Sequence, residues 1–203
     1  MTQSKVAGLI LAGGQGSRMG GVDKGLVELD GRPLVAHVIE RLGPQVDTLI
    51  INANRNAEAY AGFGLPVLAD RSGGFVGPLA GLDAALAAPP PGARWIVTCP
   101  CDSPFLPLDL VGRLLAAAEA ENAELAMPIA EGQFQPVFLL ARSDVAESLA
   151  AYLAADGRKI DRWVRSRPHV IVDFEDCVEA FANINTAEEL ARHHGAAAVP
   201  RRR

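Results

Sequence analysis

Apolar residues fall in short unbroken runs through the first half of the chain, at Val6 to Ala12, Val46 to Ile51, Pro66 to Ala69 and Trp95 to Thr98. Each run is rich in β-branched residues and too short for an independent helix, which predicts strands buried on both faces, as in a parallel sheet. Between them, residues 34–42, 55–62, 77–88 and 108–120 carry helical spacing, with Pro107 near the first turn of the last. The alternation predicts an α/β fold: a mostly parallel sheet with helices on both faces.

Past residue 123 the rhythm changes. The runs 125–129 and 135–140 flank the polar Glu131-Gly132-Gln133, which predicts a hairpin and an antiparallel element in the C-terminal half. Helical stretches at 143–154 and 160–166 follow, then a strand at 170–174. Thr186 caps a last helix, with Glu189 in the capping-box position. Residues 195–203, small and basic, are expected to be a frayed, disordered tail. The Ala88-to-Gly92 segment, with its three prolines, reads as a surface loop, and there is no internal repeat.

A length of 203 residues at 49% hydrophobic content supports one domain, residues 1–194. A net charge of −5 opposes a nucleic-acid or membrane-surface partner, which needs excess Lys and Arg, and favours a small molecule. The opening Met1 to Lys5 has no signal-peptide pattern and the run after it is too short to span a bilayer, so the expected location is cytoplasmic. Cys99, Cys101 and Cys177 lack metal-ligand spacing and read as small buried hydrophobes. His37, His169, His193 and His194 show no triad or metal pattern and read as surface or satisfied side chains.

The chemistry concentrates between Leu9 and Leu26, where a buried strand runs into six glycines and two cations. Glycines let backbone N–H groups converge on an anion. The loop lacks the Gly-Lys-Ser/Thr of a Walker A motif, and Met19 stands where the dinucleotide fingerprint needs glycine. What remains is Leu11-Ala12-Gly13-Gly14-x-Gly16-x-Arg18-Met19-Gly20 followed by Lys24. Arg18 has the fork for phosphate oxygens and Lys24 adds a point charge, a pairing that suits a triphosphate. The alternative is a glycine-rich turn with two solvated cations.

This loop resembles that of nucleotidyltransferases with a Rossmann-like fold, in particular the molybdenum cofactor guanylyltransferase family. The resemblance extends through Ile51 to Arg55, Asp70, Gly77 to Gly81, Cys99 to Pro104 and Asn183 to Thr186, covering about residues 6 to 194. It implies a Rossmann-like three-layer sandwich with a nucleotide-binding half (about 6–122) and an acceptor half (about 123–194). It also implies transfer of GMP from GTP to the terminal phosphate of molybdopterin with release of pyrophosphate, and a magnesium cofactor. Arg18, Lys24 and Asp102 would be catalytic, with Asp102 the metal ligand. GTP would contact Leu11, Ala12, Gly13, Gly14, Lys24, Asn52, Asp70, Gly77, Pro78, Leu79 and Asp102. Gln135, Pro136, Asn183 and Asn185 would serve molybdopterin. A monomer making transient contacts with cofactor-biosynthesis proteins or apo-molybdoenzymes is the expected assembly.

The residues carry independent readings. Asp102 follows the strand ending at Thr98, at the carboxyl edge where ligands gather in α/β sheets; the alternative is a turn before Pro104. Asn52, Asn54 and Asp70 follow neighbouring strands and reach the same crevice. Asp70 would accept from the guanine ring N–H and exocyclic amine or hold the ribose, and turn capping is the alternative for the asparagines. Gly77-Pro78 opens a helix whose N–H groups suit a base or phosphate, or simply initiates it. Amides match the mixed donors and acceptors of a pterin, and Asn183 and Asn185 equally suit backbone groups before Thr186. The basic segment Arg158 to Arg167 surrounds Trp163 and would meet an anionic phosphate or a partner protein, or is an amphipathic helix. Competing functions are a CTP-using or sugar-phosphate enzyme of the same fold, and a non-catalytic GTP- or molybdopterin-binding adaptor.

Overall fold

The computed structural model describes residues 5–12, 23–71, 77–184, 186 and 188–190. Strand β1 (Val6–Leu11) is followed by a short hairpin, β2 (Glu28–Leu29) and β3 (Arg32–Pro33), then α1 (Leu34–Leu42), β4 (Thr48–Asn52), α2 (Ala57–Ala61), β5 (Val67–Leu68), α3 (Pro78–Ala87) and β6 (Trp95–Pro100). Next come α4 (Leu110–Ala120), β7 (Leu125–Ala130), β8 (Gln133–Phe134), β9 (Leu140–Arg142), α5 (Ala146–Ala154), α6 (Ile160–Arg165) and β10 (His169–Asp173).

Among the described residues the main sheet has eight strands, in the order β10-β7-β9-β6-β1-β4-β5, with β8 paired to β7. Strands β6, β1, β4 and β5 are mutually parallel, β9 runs against both its neighbours, and β7 and β10 are parallel. The central strands are buried on both faces, which is why their runs show no polar alternation. Ile10, Ile51 and Val97 pack with α1 and α4 on one face. Leu9, Ile50 and Ile96 pack with α3, α5 and α6 on the other, so the predicted three-layer arrangement is present. No described helix is long and apolar enough to cross a membrane.

Two turns differ from the sequence pattern. The hairpin after β7 closes on Gln133–Phe134 instead of 135–140, because Glu131 and Gly132 both take left-handed backbone (φ +54° and +64°), the conformation a two-residue primed turn needs. The Glu175 carboxylate fixes this turn by accepting from both backbone N–H groups, at 2.9 and 2.8 Å. Leu140–Arg142 instead becomes β9, between β7 and β6. The β2–β3 hairpin went unpredicted; Asp30-Gly31 makes the same turn, at φ +52° and +75°, but two-residue strands carry no readable period.

Trp163 does not sit among cations on a surface. It is buried on α6 with Ile160 and Val164, its indole N–H 3.3 Å from the Ser148 hydroxyl, so the segment is the amphipathic helix. Cys99 and Cys101 are buried and Cys177 half-buried, all as free thiols. His37 is buried with its ring nitrogen 2.9 Å from the Leu29 carbonyl, a satisfied core histidine. The Thr186–Glu189 capping box is formed reciprocally, at 3.1 Å each way. The tail 195–203, with His193 and His194, lies outside the described residues.

Candidate active site

Parallel strands β1, β4, β5 and β6 end at one edge of the sheet, at Leu11, Asn52, Leu68 and Pro100. The carboxyl edge of such sheets is the usual ligand position. Backbone bonds hold the edge together: the Ala12 N–H donates to the Asn52 carbonyl at 2.8 Å, and the Cys101 N–H to the Leu11 carbonyl at 3.1 Å.

Past β6, Asp102 is almost buried, and its carboxylate accepts from the Lys24 ammonium at 3.2 Å. Lys24 begins the 3-10 turn Lys24–Leu26, which leaves the glycine loop. Lysine and aspartate, 78 positions apart in the sequence, thus meet at the sheet edge.

The second cluster joins β4 to β5. The Asn52 side-chain amide donates to the Leu68 carbonyl at 3.1 Å and to Asp70 Oδ1 at 2.9 Å. Asn54 donates to Asp70 Oδ2 at 2.7 Å and accepts from the Asp70 N–H at 2.8 Å. Each asparagine is therefore a donor that pins the carboxylate, beyond the capping its sequence position alone suggested. Helix α3 closes this side. Gly77 caps it at φ +78°, a conformation that strains any residue with a Cβ, and Pro78 fills its first position. The Leu79 side chain, only 1% exposed, belongs to the core, so it offers no side-chain contact on the surface there.

The acceptor residues divide. Asn183 accepts from the buried Ser103 hydroxyl, and the Ile184 N–H donates to the Asp102 carbonyl at 2.9 Å, so this segment lies directly on the Asp102 loop. Gln135 and Pro136 are half-buried between β8 and β9; the Gln135 N–H donates to the Pro128 carbonyl at 2.9 Å and its carbonyl accepts from Phe138 at 3.0 Å. The same stretch reaches the β6 end, where the Thr98 hydroxyl donates to the Val137 carbonyl at 2.6 Å. Gly13, Gly14, Arg18 and Asn185 lie outside the described residues.

Asp23 and Tyr60 escaped the sequence reading. The Asp23 carboxylate is 7% exposed and accepts from the Tyr60 hydroxyl, the Asn56 amide at 3.0 Å and the Gly25 N–H at 3.3 Å. Its position beside Lys24 was the available signal. Burial, with the neighbouring Cys101 and the Asp23 bond, pushes the Tyr60 phenol far above its ordinary range, so it stays a donor. Burial likewise raises Cys99 and Cys101, so neither supplies a thiolate.

The Lys24–Asp102 pair sits at the carboxyl edge of a mostly parallel sheet of the Rossmann-like nucleotidyltransferase kind. The chain belongs to the MobA-like NTP transferase domain family, whose model matches residues 8–170. It is 53% identical over 200 residues to the molybdenum cofactor guanylyltransferase of Cupriavidus taiwanensis, covering 95% of this chain and 98% of that one. The crystal structure of molybdopterin-guanine dinucleotide biosynthesis protein A from Archaeoglobus fulgidus superposes with a TM-score of 0.77 at 24% identity, over 95% of this chain and 97% of that one. The 2-C-methyl-D-erythritol 4-phosphate cytidylyltransferase of Thermus thermophilus superposes at 0.71 with 18% identity, covering 96% of this chain and 100% of that one, so the fold is shared with an enzyme named for another nucleotide.

Proposed function

We propose that this chain transfers GMP from GTP to the terminal phosphate of molybdopterin, releasing pyrophosphate and forming the guanine dinucleotide cofactor. The observation that carries the reading is the Lys24–Asp102 pair at 3.2 Å on the sheet edge, in a chain so similar to a named guanylyltransferase along nearly its whole length.

An oxygen of the molybdopterin phosphate attacks the α-phosphorus of GTP; that P–O bond forms as the bond from the α-phosphorus to the bridging oxygen breaks, and pyrophosphate leaves with the electron pair. The nucleophile is already anionic, so the protein supplies no general base. Its contribution is in-line positioning and neutralisation of charge. Lys24 and Arg18 steady the leaving pyrophosphate. Asn52, Asp70 and the start of α3 hold the nucleoside, with Asp70 accepting from guanine.

Among the described residues no group of three or more His, Cys, Asp or Glu is placed as a metal cage. A magnesium site fits this donor set, because magnesium takes one or two carboxylates and completes its shell with phosphate and water oxygens. Asp102 would hold the ion, which supplies Lewis-acid neutralisation of the triphosphate charge. Asn183, packed on the Asp102 loop, with Gln135, Pro136 and Asn185, forms the acceptor side. A cytoplasmic monomer with these two substrates and no nucleic-acid partner completes the reading, in keeping with the net charge of −5.

Incubation of the protein with magnesium, molybdopterin and each of four nucleoside triphosphates, followed by pyrophosphate measurement, tests this. Release with GTP at about tenfold or more over the other three is expected for a site that hydrogen-bonds the guanine edge. Release with CTP instead would favour the cytidylyl alternative, and GTP binding without release the adaptor.

A further inference from the structure

The strongest cluster outside the substrate-facing set is the buried carboxylate of Asp23. A carboxylate that only capped the turn at Lys24 would need the Gly25 N–H alone. Here two side chains from around α2 converge on it as well, the Asn56 amide at 3.0 Å and the Tyr60 hydroxyl. Asn56 stands at the N-cap of α2 with φ +51°, yet its side chain makes no capping bond to that helix and turns to Asp23. The local helix thus forgoes its cap while the residue before Lys24 is held.

Gly25 permits the approach. A Cβ there would lie 2.5 Å from the Tyr60 hydroxyl oxygen and 3.2 Å from the Cys101 side chain, so the turn carrying Lys24 is pressed against the residue preceding Asp102. The lysine backbone is set by these contacts, and its ammonium reaches Asp102 at 3.2 Å.

We propose that Asp23, clamped by Tyr60 and Asn56, is the positioning residue that sets Lys24 against Asp102 and the phosphates. Tyr60 contacts no reacting atom in this scheme; it acts through Asp23 on Lys24. The proposal deepens the nucleotidyl-transfer reading and rests on it for its kinetic consequence, while its structural consequence is read at Lys24 itself.

The chain has three lysines, Lys5, Lys24 and Lys159, and Lys5 and Lys159 are exposed, so each serves as an internal control for amine labelling. Tyr60→Phe keeps the ring and removes one donor; Asn56→Ala removes another. In pulse labelling with an amine-reactive reagent read by mass spectrometry, Lys24 is expected to react about threefold or more faster in each variant, while Lys5 and Lys159 keep their wild-type rates and thereby report an intact fold. In pyrophosphate release, Tyr60→Phe should lower kcat about tenfold in the wild-type background and less than about twofold in a Lys24→Ala background, the non-additivity of residues acting through one another. Unchanged Lys24 labelling in both variants, or equal kcat losses in the two backgrounds, overturns the proposal. A wild-type chain that releases no pyrophosphate overturns the nucleotidyl-transfer reading alone, and the labelling ratio still decides the clamp.

Discussion

Helix α3 comes so close to the end of β4 that a Cβ on Gly81 would sit 2.4 Å from the Asn52 side-chain oxygen and 2.7 Å from Leu11 Cδ2. The helix can lie this close to Asn52 and Leu11 only because residue 81 has no side chain. Gly81→Ala should overpack this contact by about 1–3 kcal/mol and push Asn52 off Asp70. A thermal melt should fall by several degrees, and the KM for GTP should rise more than kcat falls. A variant with unaltered melting and KM would show that the helix shifts freely.

Lys24 and Asp102 predict a different signature. Asp102→Asn is nearly isosteric but removes the negative charge, and Lys24→Met keeps the stem but removes the ammonium. Each should cost about a hundredfold or more in kcat, the scale for losing one preorganised electrostatic partner of a transition state. Their melting temperatures should stay within a few degrees of wild type, and activity near wild type in either would remove the pair from the mechanism.

Asp70 holds its two asparagine donors and, in the proposed function, the guanine edge. Asp70→Asn replaces an acceptor by a donor and should lower kcat/KM for GTP by tenfold to a hundredfold, on the order of 1–3 kcal/mol for a polar group left mismatched against the base. A base contact predicts the same loss with 2′-deoxy-GTP and a smaller one with ITP, which lacks the exocyclic amine. Indifference to the substitution with 2′-deoxy-GTP would assign Asp70 to the ribose.

Alkaline stability should decline from about pH 9. Cys99 and Cys101 are raised in the folded chain from an ordinary 9.0, and Tyr60 from an ordinary 10.0, burial being the largest cause in each. Above those ordinary values the unfolded chain loses protons that the native chain keeps, so the stabilisation is fully present below pH 9 and lost as pH rises. Each such group adds a slope of about 1.4 kcal/mol per pH unit once its unfolded form ionises. Urea midpoints between pH 7 and 10.5 should show this fall, and Tyr60→Phe should make it shallower above pH 10.

The parallel part of the fold was legible because its strands, buried on both sides, announce themselves as apolar runs; β1 and α1 were placed within a residue of their ends. The region from 130 to 142 was misread where backbone conformation outweighs hydrophobicity. Glu131 at positive φ decides the register of the hairpin, and no period encodes it. Asn52 and Asp70 were expected on the same strand edge, but the hydrogen bond between them was not. The Asp23 clamp was likewise unforeseen, since it joins a loop carboxylate to a tyrosine in the helical stretch 55–62, and no local spacing brings those two together.

The reversed strand β9 also decides what can be separated. It supplies the partner on the outer flank of β6, between β6 and β7, and comes from sequence well beyond residue 122. A polypeptide ending at 122 would keep the lysine and the aspartate yet leave β6, the strand that delivers Asp102, as a bare ladder of unsatisfied amides and carbonyls inviting another chain. The two halves are thus complementary parts of one lattice, and the nucleotide half, expressed by itself, should self-associate.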